Sequence, residues 1–503
     1  MFSTTISGAL KGVEGILLQV EVDVSNGMPS LEMVGLLGSE VKESKERVRS
    51  AIKNLGITMP PKKIVVNLSP ANVRKAGTAY DLPIAVGILK ALGVLPPDCT
   101  DGMLLLGELG LDGTIKPVSG VVPILLCAGA GQIRKCILAK DNLQETNPLK
   151  GMEIYGFETI TELIDFLQKK KEVSPFCGRR RTKQGYKAEA LFEDIVGQQS
   201  GKRAALIGAA GGHNMLFIGP PGTGKTMLVK ALPSILPPLS EKEKIETAAI
   251  LSATGQLDAT DIWEGRRPFV EVHHSATANT LIGGGLIPKA GAMTMAHKGV
   301  LFLDELPEFK RAVLDVMRQP LEARHMVFMR SGVSYDFPTD VMLVAAMNPC
   351  PCGHYPDKNK CMCLPYQVRK YISHISGPIL DRIDVVAQTY PIDHTKAENE
   401  TYYTSFKMQE MVLKAREMQM ERKKKCNADL TSGEITDVCH LEKPAKRMLD
   451  VLEEKFALSG RAYYSLLKVA RTIADLEESE CIEEKHLAES AGYRLGFERY
   501  FHG

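Results

Sequence analysis

Eight residues near the middle of the chain have the composition of a phosphate-binding loop. They follow the short apolar run 215–218 and precede a second apolar run, 227–232. Glycines let backbone N–H groups converge on phosphate oxygens, a lysine reaches the β- and γ-phosphates, and a threonine hydroxyl binds Mg²⁺. We therefore predict a strand, a nucleotide-binding loop and a helix. The predicted loop residues are Gly219, Pro220, Pro221, Gly222, Thr223, Gly224, Lys225 and Thr226.

Two further apolar runs end in side chains suited to hydrolysis. Run 299–303 has the pattern of a buried parallel strand and leads into Asp304 and Glu305. Adjacent carboxylates at a strand end are costly unless a cation lies close by, so Asp304 is expected to hold Mg²⁺ and Glu305 to orient the attacking water. Run 341–347 leads into Asn348, whose amide would orient the same water or the γ-phosphate. An asparagine at such a place is also a common turn residue.

Phosphoryl transfer needs positive charge beyond Mg²⁺ and the loop lysine, and arginine supplies it when a site closes. Two arginines are candidates. Arg382 lies in the sequence GPILDRID, and Arg461 lies in LSGRAY at the start of a predicted helix. By position alone, either arginine could instead form a surface salt bridge.

Four cysteines occur as two close pairs within fourteen residues. They are Cys350, Cys352, Cys361 and Cys363. Two pairs across a short loop suit a tetrahedral Zn²⁺ site, although a C-x-C spacing is tighter than usual. His354 could replace one thiol, and a reduced cysteine-rich loop without metal is the alternative. The pair His273–His274 has no further ligand nearby in the sequence, so we interpret it as structural.

The elements that position these residues belong to an ordinary globular chain. Its 503 residues are enough for about three domains. A composition of 44% hydrophobic and 24% charged residues excludes a disordered or fibrous protein. The net charge of +2 gives no chain-wide attraction to nucleic acid or membrane, so any such binding must come from local patches.

The sequence also predicts where the protein works. Stretch 118–133 is the longest weakly polar one, and it is too short to span a bilayer. The first residues lack the basic and apolar regions of a signal peptide. Eleven cysteines, an odd number and mostly in apolar surroundings, favour a reducing compartment. We therefore expect a cytoplasmic protein without a membrane partner.

Hydrophobic periodicity divides the chain into three folded parts. The first, residues 1–168, mixes strands and helices, beginning with a period-two strand at 18–24. A basic stretch at 169–188 has the composition of a linker. Residues 189–392 alternate short apolar strands with helices, as in a parallel sheet covered on both faces. Residues 393–503 carry only helical patterns and predict a lid or C-terminal helical domain.

Several motifs together resemble one known family. The segments GPPGTGKT, GVLFLDELPEF, AAMNPCPCG, SGPILDRID and SGRAYYSLLKVARTIADL are similar to those of magnesium-chelatase-like AAA+ ATPases, and the whole chain resembles the ComM/YifB family. The resemblance implies a multidomain α/β protein with a P-loop AAA+ sheet and a helical lid, preceded by an α+β domain similar to the Lon protease domain. It assigns Walker A to Lys225 and Thr226, Walker B to Asp304 and Glu305, sensor 1 to Asn348, the arginine finger to Arg382 and sensor 2 to Arg461.

The same resemblance implies a ring, usually a hexamer, with ATP and Mg²⁺ between neighbouring subunits. It also implies work on DNA, as a helicase-like translocase that drives branch migration in recombination or natural transformation. Residues 274–297 resemble an insert facing the channel, and 326–337 resemble a hairpin there. Four basic residues in or beside these segments are candidate phosphate contacts: Lys289, Lys298, Arg324 and Arg330. The alternatives are a metal-chelatase motor subunit and a protein-remodelling or regulatory ATPase.

The Lon-like part lacks the residues of a peptidase. By resemblance, Ala79 stands where an active Lon domain has its serine, and Ile124 stands where it has its lysine. Without a hydroxyl nucleophile or an amine base, acyl transfer has no chemistry to use. We therefore predict an inactive domain that serves as a scaffold or binding tier.

Overall fold

The structure is a computed structural model. It describes residues 1–71, 74–131, 133–146, 149, 151–178, 190–257, 259–330, 332–357, 359–391 and 403–502. At 259–260 and 495–502 it describes the backbone alone. Half of the predicted linker, residues 179–188, lies outside the described residues, and so does the predicted domain boundary at 392–393.

The N-terminal part is a mixed sheet covered by helices. Its seven strands lie in the order β3-β4-β2-β1-β5-β8-β9, and β6 and β7 form a separate hairpin. Alternating residues of β2 face the core, including Leu18, Val20 and Val22, as their period of two predicts. The elements are β1 (Phe2–Lys11), β2 (Glu14–Ser25), β3 (Ser30–Val34), α1 (Ser39–Asn54), β4 (Lys63–Ser69), α2 (Asp81–Ala91), β5 (Met103–Leu105), β6 (Glu108–Leu109), β7 (Ile115–Lys116), α3 (Val121–Ala130), β8 (Lys135–Ala139), β9 (Glu153–Phe157) and α4 (Ile160–Leu167).

The central part is built on a five-stranded parallel sheet. Its elements are α5 (Gln199–Gly211), β10 (Met215–Ile218), α6 (Lys225–Ala231), α7 (Glu241–Thr254), α8 (Ala259–Trp263), β11 (Phe269–Val272), α9 (Ala278–Ile282), β12 (Gly283–Gly284), β13 (Lys289–Ala290), α10 (Ala292–Met295), β14 (Val300–Leu303), α11 (Arg311–Asp315), α12 (Arg318–Ala323), β15 (His325–Arg330), β16 (Val333–Pro338), β17 (Met342–Met347), α13 (Pro365–Ile372), α14 (Gly377–Leu380) and β18 (Val385–Gln388). The strand order is β11-β14-β17-β10-β18.

The strands of this sheet are apolar on both faces because helices cover both. Phe217 and Phe302 belong to one buried cluster, while their neighbours Leu216 and Leu301 belong to the cluster on the other face. Strands β10, β14 and β17 run parallel, so their carboxyl ends meet at one edge of the sheet. This edge is where an open α/β sheet binds ligands.

The C-terminal part is helical throughout its described residues. Its helices are α15 (Ser405–Lys423), α16 (Ser432–Val438), α17 (Lys443–Phe456), α18 (Gly460–Leu476) and α19 (Glu484–His502). Arg416 of α15 donates to the carbonyl oxygen of Ala209 in α5, which ties the helical part to the helix that precedes the phosphate-binding loop. The predicted parallel sheet with a helical C-terminal region is therefore confirmed. The likeness of the first part to Lon protease stays a prediction.

Candidate nucleotide-binding and hydrolysis site

The phosphate-binding loop joins β10 to α6. Gly222 and Gly224 have φ angles of +74° and +83°, a left-handed backbone that favours glycine. Gly219 is packed so closely that a Cβ there would lie 2.1 Å from the hydroxyl oxygen of Thr389. The loop backbone therefore depends on glycine at three of its eight positions.

Lys225 is held inside this loop. Its Nζ donates to the carbonyl oxygens of Gly219 at 2.7 Å and Pro220 at 2.8 Å, and to Oδ1 of Asn348 at 3.2 Å. Burial lowers the pKa of the Lys225 ammonium. A phosphate that displaced these neutral acceptors would stabilise the charged amine.

The hydroxyl of Thr226 contacts the carboxylate of Asp304. Thr226 Oγ1 donates to Oδ2 of Asp304 at 3.1 Å. A hydroxyl and a carboxylate oxygen are hard ligands of the kind that Mg²⁺ prefers. The two residues suit the ion that the sequence predicts there.

Glu305 lies beside Asp304 with a strained backbone and a histidine partner. Its φ angle is +52°, and its side chain is 53% exposed. Oε2 of Glu305 lies 3.0 Å from Nδ1 of His274. His274 follows β11, which pairs with β14 and brings the two side chains together. Our interpretation of His273–His274 as structural missed this contact, because no sequence signal indicates that β11 lies next to β14.

The two candidate arginines share one carboxylate partner. Arg382 Nη2 contacts Oε2 of Glu322 at 2.7 Å, and Arg461 Nη2 lies 3.5 Å from Oε1 of the same carboxylate. Arg382 also donates to the carbonyl oxygen of Pro378, and among the described residues neither arginine forms a hydrogen bond or ion pair with loop 219–226. Glu322 therefore joins residues from two parts of the fold.

Arg318, Arg382 and Arg461 form a basic cluster with an N–H donor available to bind an anion. Burial and the nearby charges of Arg461 and Arg318 lower the pKa of Arg382. Nε of Arg382 is buried and has no hydrogen-bond partner among the described residues. Glu322 pairs with Arg382 and Arg461, and Arg318 lines the same cavity as Glu322 and Arg382. Sequence reasoning did not single out Arg318 or Glu322, because neither belongs to a recognisable motif.

The positions that correspond to the Lon catalytic pair lie in an apolar environment. Ala79 and Ile124 are buried in one hydrophobic cluster with Leu104 and Val121. A Cβ added at Gly8 would lie 2.1 Å from Cγ2 of Ile124, so little space remains around that side chain.

The segment that contains Ile124 also contacts the central part of the protein. The backbone N–H of Gly120 donates to the carbonyl oxygen of Ser252 in α7 at 2.8 Å. The N–H of Val122 donates to the Ser252 hydroxyl at 3.2 Å, and that hydroxyl donates to Glu145 at 2.9 Å. This contact supports the predicted scaffold role, and the absence of peptidase activity stays a prediction.

The four cysteines Cys350, Cys352, Cys361 and Cys363 do converge. Their sulfur atoms all lie within 4.8 Å of one another. His354 is not part of this group of possible ligands among the described residues.

A parallel sheet with a P-loop, a carboxylate pair and a polar strand end at the same edge, followed by a helical domain, defines an AAA+ ATPase. Family models support this class along the chain. They are described as magnesium chelatase, subunit ChlI, at residues 191–397; subunit ChlI of Mg-chelatase, at 20–142; and magnesium chelatase, subunit ChlI C-terminal, at 403–494.

Curated relatives match nearly the whole chain. Competence protein ComM of Haemophilus influenzae is 42% identical over 493 residues, covering 97% of this chain and 96% of the relative. YifB of Escherichia coli is 42% identical over 492 residues with the same coverage. The magnesium-chelatase 38 kDa subunit of Cereibacter sphaeroides is 23% identical over 326 residues, 60% of this chain and 90% of that subunit. The chain belongs to the ComM/YifB family of magnesium-chelatase-like AAA+ proteins, and this membership implies ATPase activity with ATP and Mg²⁺.

Two further findings concern partners and the membrane. AAA+ proteins of this kind generally assemble into oligomers. Every helix in the described residues is either too short or too polar to cross a lipid bilayer.

Proposed function

We propose that this protein is a ring-forming ATPase that uses ATP hydrolysis to move along DNA. Each nucleotide lies between two subunits of the ring, for which we expect six members. The observation that carries the shared site is that the predicted site residues form two groups, or half-sites, with separate hydrogen-bond and ion-pair partners. Lys225, Thr226 and Asp304 form one half, while Arg382 and Arg461 converge on Glu322 in the other.

The residues of the first half bind and polarise ATP. Lys225 contacts the β- and γ-phosphates, and the oxygens of Thr226 and Asp304 hold Mg²⁺. Asn348 positions the γ-phosphate or the attacking water. Glu305 accepts a proton from that water while the water oxygen attacks the γ-phosphorus. The bond between the γ-phosphorus and the bridging oxygen of the β-phosphate then breaks. Before the water binds, the Glu305 carboxylate contacts His274, and the water displaces His274 from it.

The residues of the second half complete the site from the neighbouring subunit. Arg382 and Arg461 exchange the Glu322 carboxylate for the γ-phosphate, where their charge stabilises the transition state. The family resemblance assigns sensor 2 to Arg461, in the predicted lid, and does not indicate which subunit's nucleotide Arg461 contacts. The shared contact of Arg461 and Arg382 with Glu322 supports action of both arginines on the same nucleotide, that of the neighbouring subunit.

Two hairpins support DNA as the substrate that the ring moves. Arg330, at the end of β15, donates through Nε to the carbonyl oxygen of Gly285 at 3.3 Å, which joins the β15–β16 hairpin to the β12–β13 hairpin. Leu286 and Met329 are exposed on these hairpins, and Lys289 is exposed beside them. Cations among exposed apolar side chains suit contacts with a nucleic-acid backbone and bases.

The four basic candidates are not equivalent. Lys298 pairs with Asp340 at 2.6 Å, and Arg324 pairs with Asp340 and Asp429. These pairs leave Lys289 and Arg330 as the phosphate contacts that we propose. The relative ComM is named a competence protein, which supports a role in natural transformation. We propose that the motor drives branch migration in that process or in recombination, within the cytoplasm.

Steady-state ATPase measurements test the proposal. Activity is measured without DNA and with duplex, forked or single-stranded DNA at several salt concentrations. We expect stimulation that fades as salt rises, because phosphate contacts release counterions. Lys289→Ala and Arg330→Ala should each lower the salt dependence by about one counterion, while Lys53→Ala, an exposed lysine in α1, should not. A flat response to every DNA would favour the chelatase-type or protein-remodelling motor instead.

A further inference from the structure

The four-cysteine cluster has the dimensions of a site for a single metal ion. Sγ of Cys350 lies 3.3 Å from Sγ of Cys352 and 3.8 Å from Sγ of Cys361, and the Cys352–Cys361 distance is 3.6 Å. A tetrahedral ion with bonds of about 2.3 Å to sulfur separates its ligands by about 3.8 Å. Disulfides require about 2.05 Å, and an iron–sulfur cluster would need wider spacing because sulfide and several irons lie between the thiolates.

The backbone beside the cluster supplies one hydrogen bond to it. The N–H of Tyr355 donates to Sγ of Cys350 at 3.4 Å. Hydrogen bonds to a ligand atom of this kind belong to the usual outer shell of a metal–thiolate site.

The cluster closes a loop that lies against the nucleotide site. Residues 349–364 begin directly after Asn348 and end at α13. Gly353, at the turn of this loop with φ +82°, approaches the phosphate-binding loop so closely that a Cβ there would lie 2.5 Å from Cδ of Pro221. Cys350 is fully buried in the core on this side of the sheet, and the other three cysteines pack against that core.

We propose that Cys350, Cys352, Cys361 and Cys363 bind one Zn²⁺ ion, and that this ion holds loop 349–364 against Pro221. Four thiolates in tetrahedral arrangement select zinc, or a single iron, over Mg²⁺ or Ca²⁺. Zinc needs no redox chemistry and forms closed structural sites of this composition. The proposed effect on nucleotide binding rests on the proposed function, whereas the proposed metal site does not.

Metal analysis of the purified full-length protein tests the site. With reductant present and chelators absent, we expect about one zinc ion per chain. Cys361→Ser combined with Cys363→Ser should remove it, while Cys177→Ser, an exposed cysteine outside the cluster, should keep it. A content far below one ion per chain after incubation with zinc under reducing conditions would overturn the site, and one iron per chain would overturn zinc as its occupant.

A thiol measurement on the unaltered protein removes any dependence on the folding of the double variant. The four cluster thiols should react slowly with a thiol reagent, as the buried Cys136 and Cys439 should, and a mercurial that reacts with the cluster should release zinc, which a colorimetric chelator reports at the same time. Protection of these four thiols without release of metal would also count against the site.

Measurements of nucleotide affinity test the proposed effect of the metal site on nucleotide binding. Binding of a fluorescent ATP analogue should weaken on the order of tenfold in the double variant, and recover in the zinc-depleted unaltered protein when zinc is added back. Normal affinity without zinc would overturn the link to the phosphate-binding loop while leaving the metal site intact. Failure of the zinc-loaded protein to bind the analogue would instead contradict the proposed ATPase.

Discussion

Mixing two inactive variants should restore ATP hydrolysis if neighbouring subunits share each site. Lys225→Ala removes the lysine that we propose contacts ATP, while Arg382→Ala removes the arginine that we propose completes the neighbouring subunit's site. In the structure these residues have separate partners, Asn348 for Lys225 and Glu322 for Arg382. Each variant alone should lose about 10³-fold or more of its turnover, the usual effect of removing such an arginine.

The size of the recovery follows from the geometry of a ring. In an equal mixture, half of the subunits keep Lys225 and the other half keep Arg382. A junction works when a subunit with Lys225 meets a neighbour with Arg382, which random assembly gives at about one junction in four. When junctions act independently, the mixture should therefore recover about one quarter of the unaltered rate.

Phosphate release from pre-mixed subunits measures this recovery. Tagging one variant and co-purifying the other establishes that mixed rings have formed. Arg49→Ala, an exposed arginine of α1, serves as a control that should keep full activity alone. Mixed rings that stay as inactive as each parent would show that Arg382 serves its own subunit's nucleotide, and the shared site would be refuted.

Three further predictions concern the carboxylates and one histidine. Glu305→Gln should bind ATP but hydrolyse it about 10²- to 10⁴-fold more slowly, as retention of intact nucleotide after gel filtration would report. Arg47→Met should lower the free energy of unfolding by about 3–5 kcal/mol, because it leaves the fully buried Asp81 carboxylate without its 2.6 Å ion pair; denaturant titration measures this. Burial lowers the pKa of His297 below its ordinary 6.5, and its Nδ1 accepts the N–H of Asp340. Its neutral form is therefore native, so stability should fall as the pH drops from 6.5 through that lowered pKa, and thermal unfolding of His297→Asn should show a shallower fall.

Each of these predictions has a contradicting outcome. Rapid turnover by Glu305→Gln would exclude this residue as the base. An unchanged unfolding free energy for Arg47→Met at neutral pH would mean that Asp81 is already protonated, in keeping with the upward effect of burial on its pKa. Parallel pH profiles for the unaltered protein and His297→Asn would assign the acid-induced loss of stability to other groups.

The local features of the site were predictable because they depend on adjacent residues. The phosphate-binding loop needs glycine at particular positions, and an apolar run with a polar end predicts a strand that delivers Asp304 or Asn348 to the edge of a sheet. The period of two in β2 similarly identifies its buried side chains. In such cases the residues that determine the conformation are neighbours in the chain.

Contacts between distant segments could not be predicted in this way. His274 meets Glu305 only because β11 lies next to β14. Arg461, at the start of α18, reaches Glu322 of α12, and Arg382, which follows α14, contacts the same carboxylate. Strand order and helix packing bring these side chains together, and hydrophobic periodicity reports which face of an element is buried without identifying the element that covers it.

The sequence by itself determined the class of chemistry: a nucleotide loop, carboxylates for metal and water, candidate arginines, and four thiols at a spacing suited to a metal. Only the tertiary structure decided which groups share a site. It placed Ala79 and Ile124 within an apolar cluster, gathered the arginines around one carboxylate, and brought the four sulfur atoms to within 4.8 Å of one another. The physical reason is that side-chain chemistry is a property of each residue, whereas distances between residues far apart in the chain arise from packing of the whole fold.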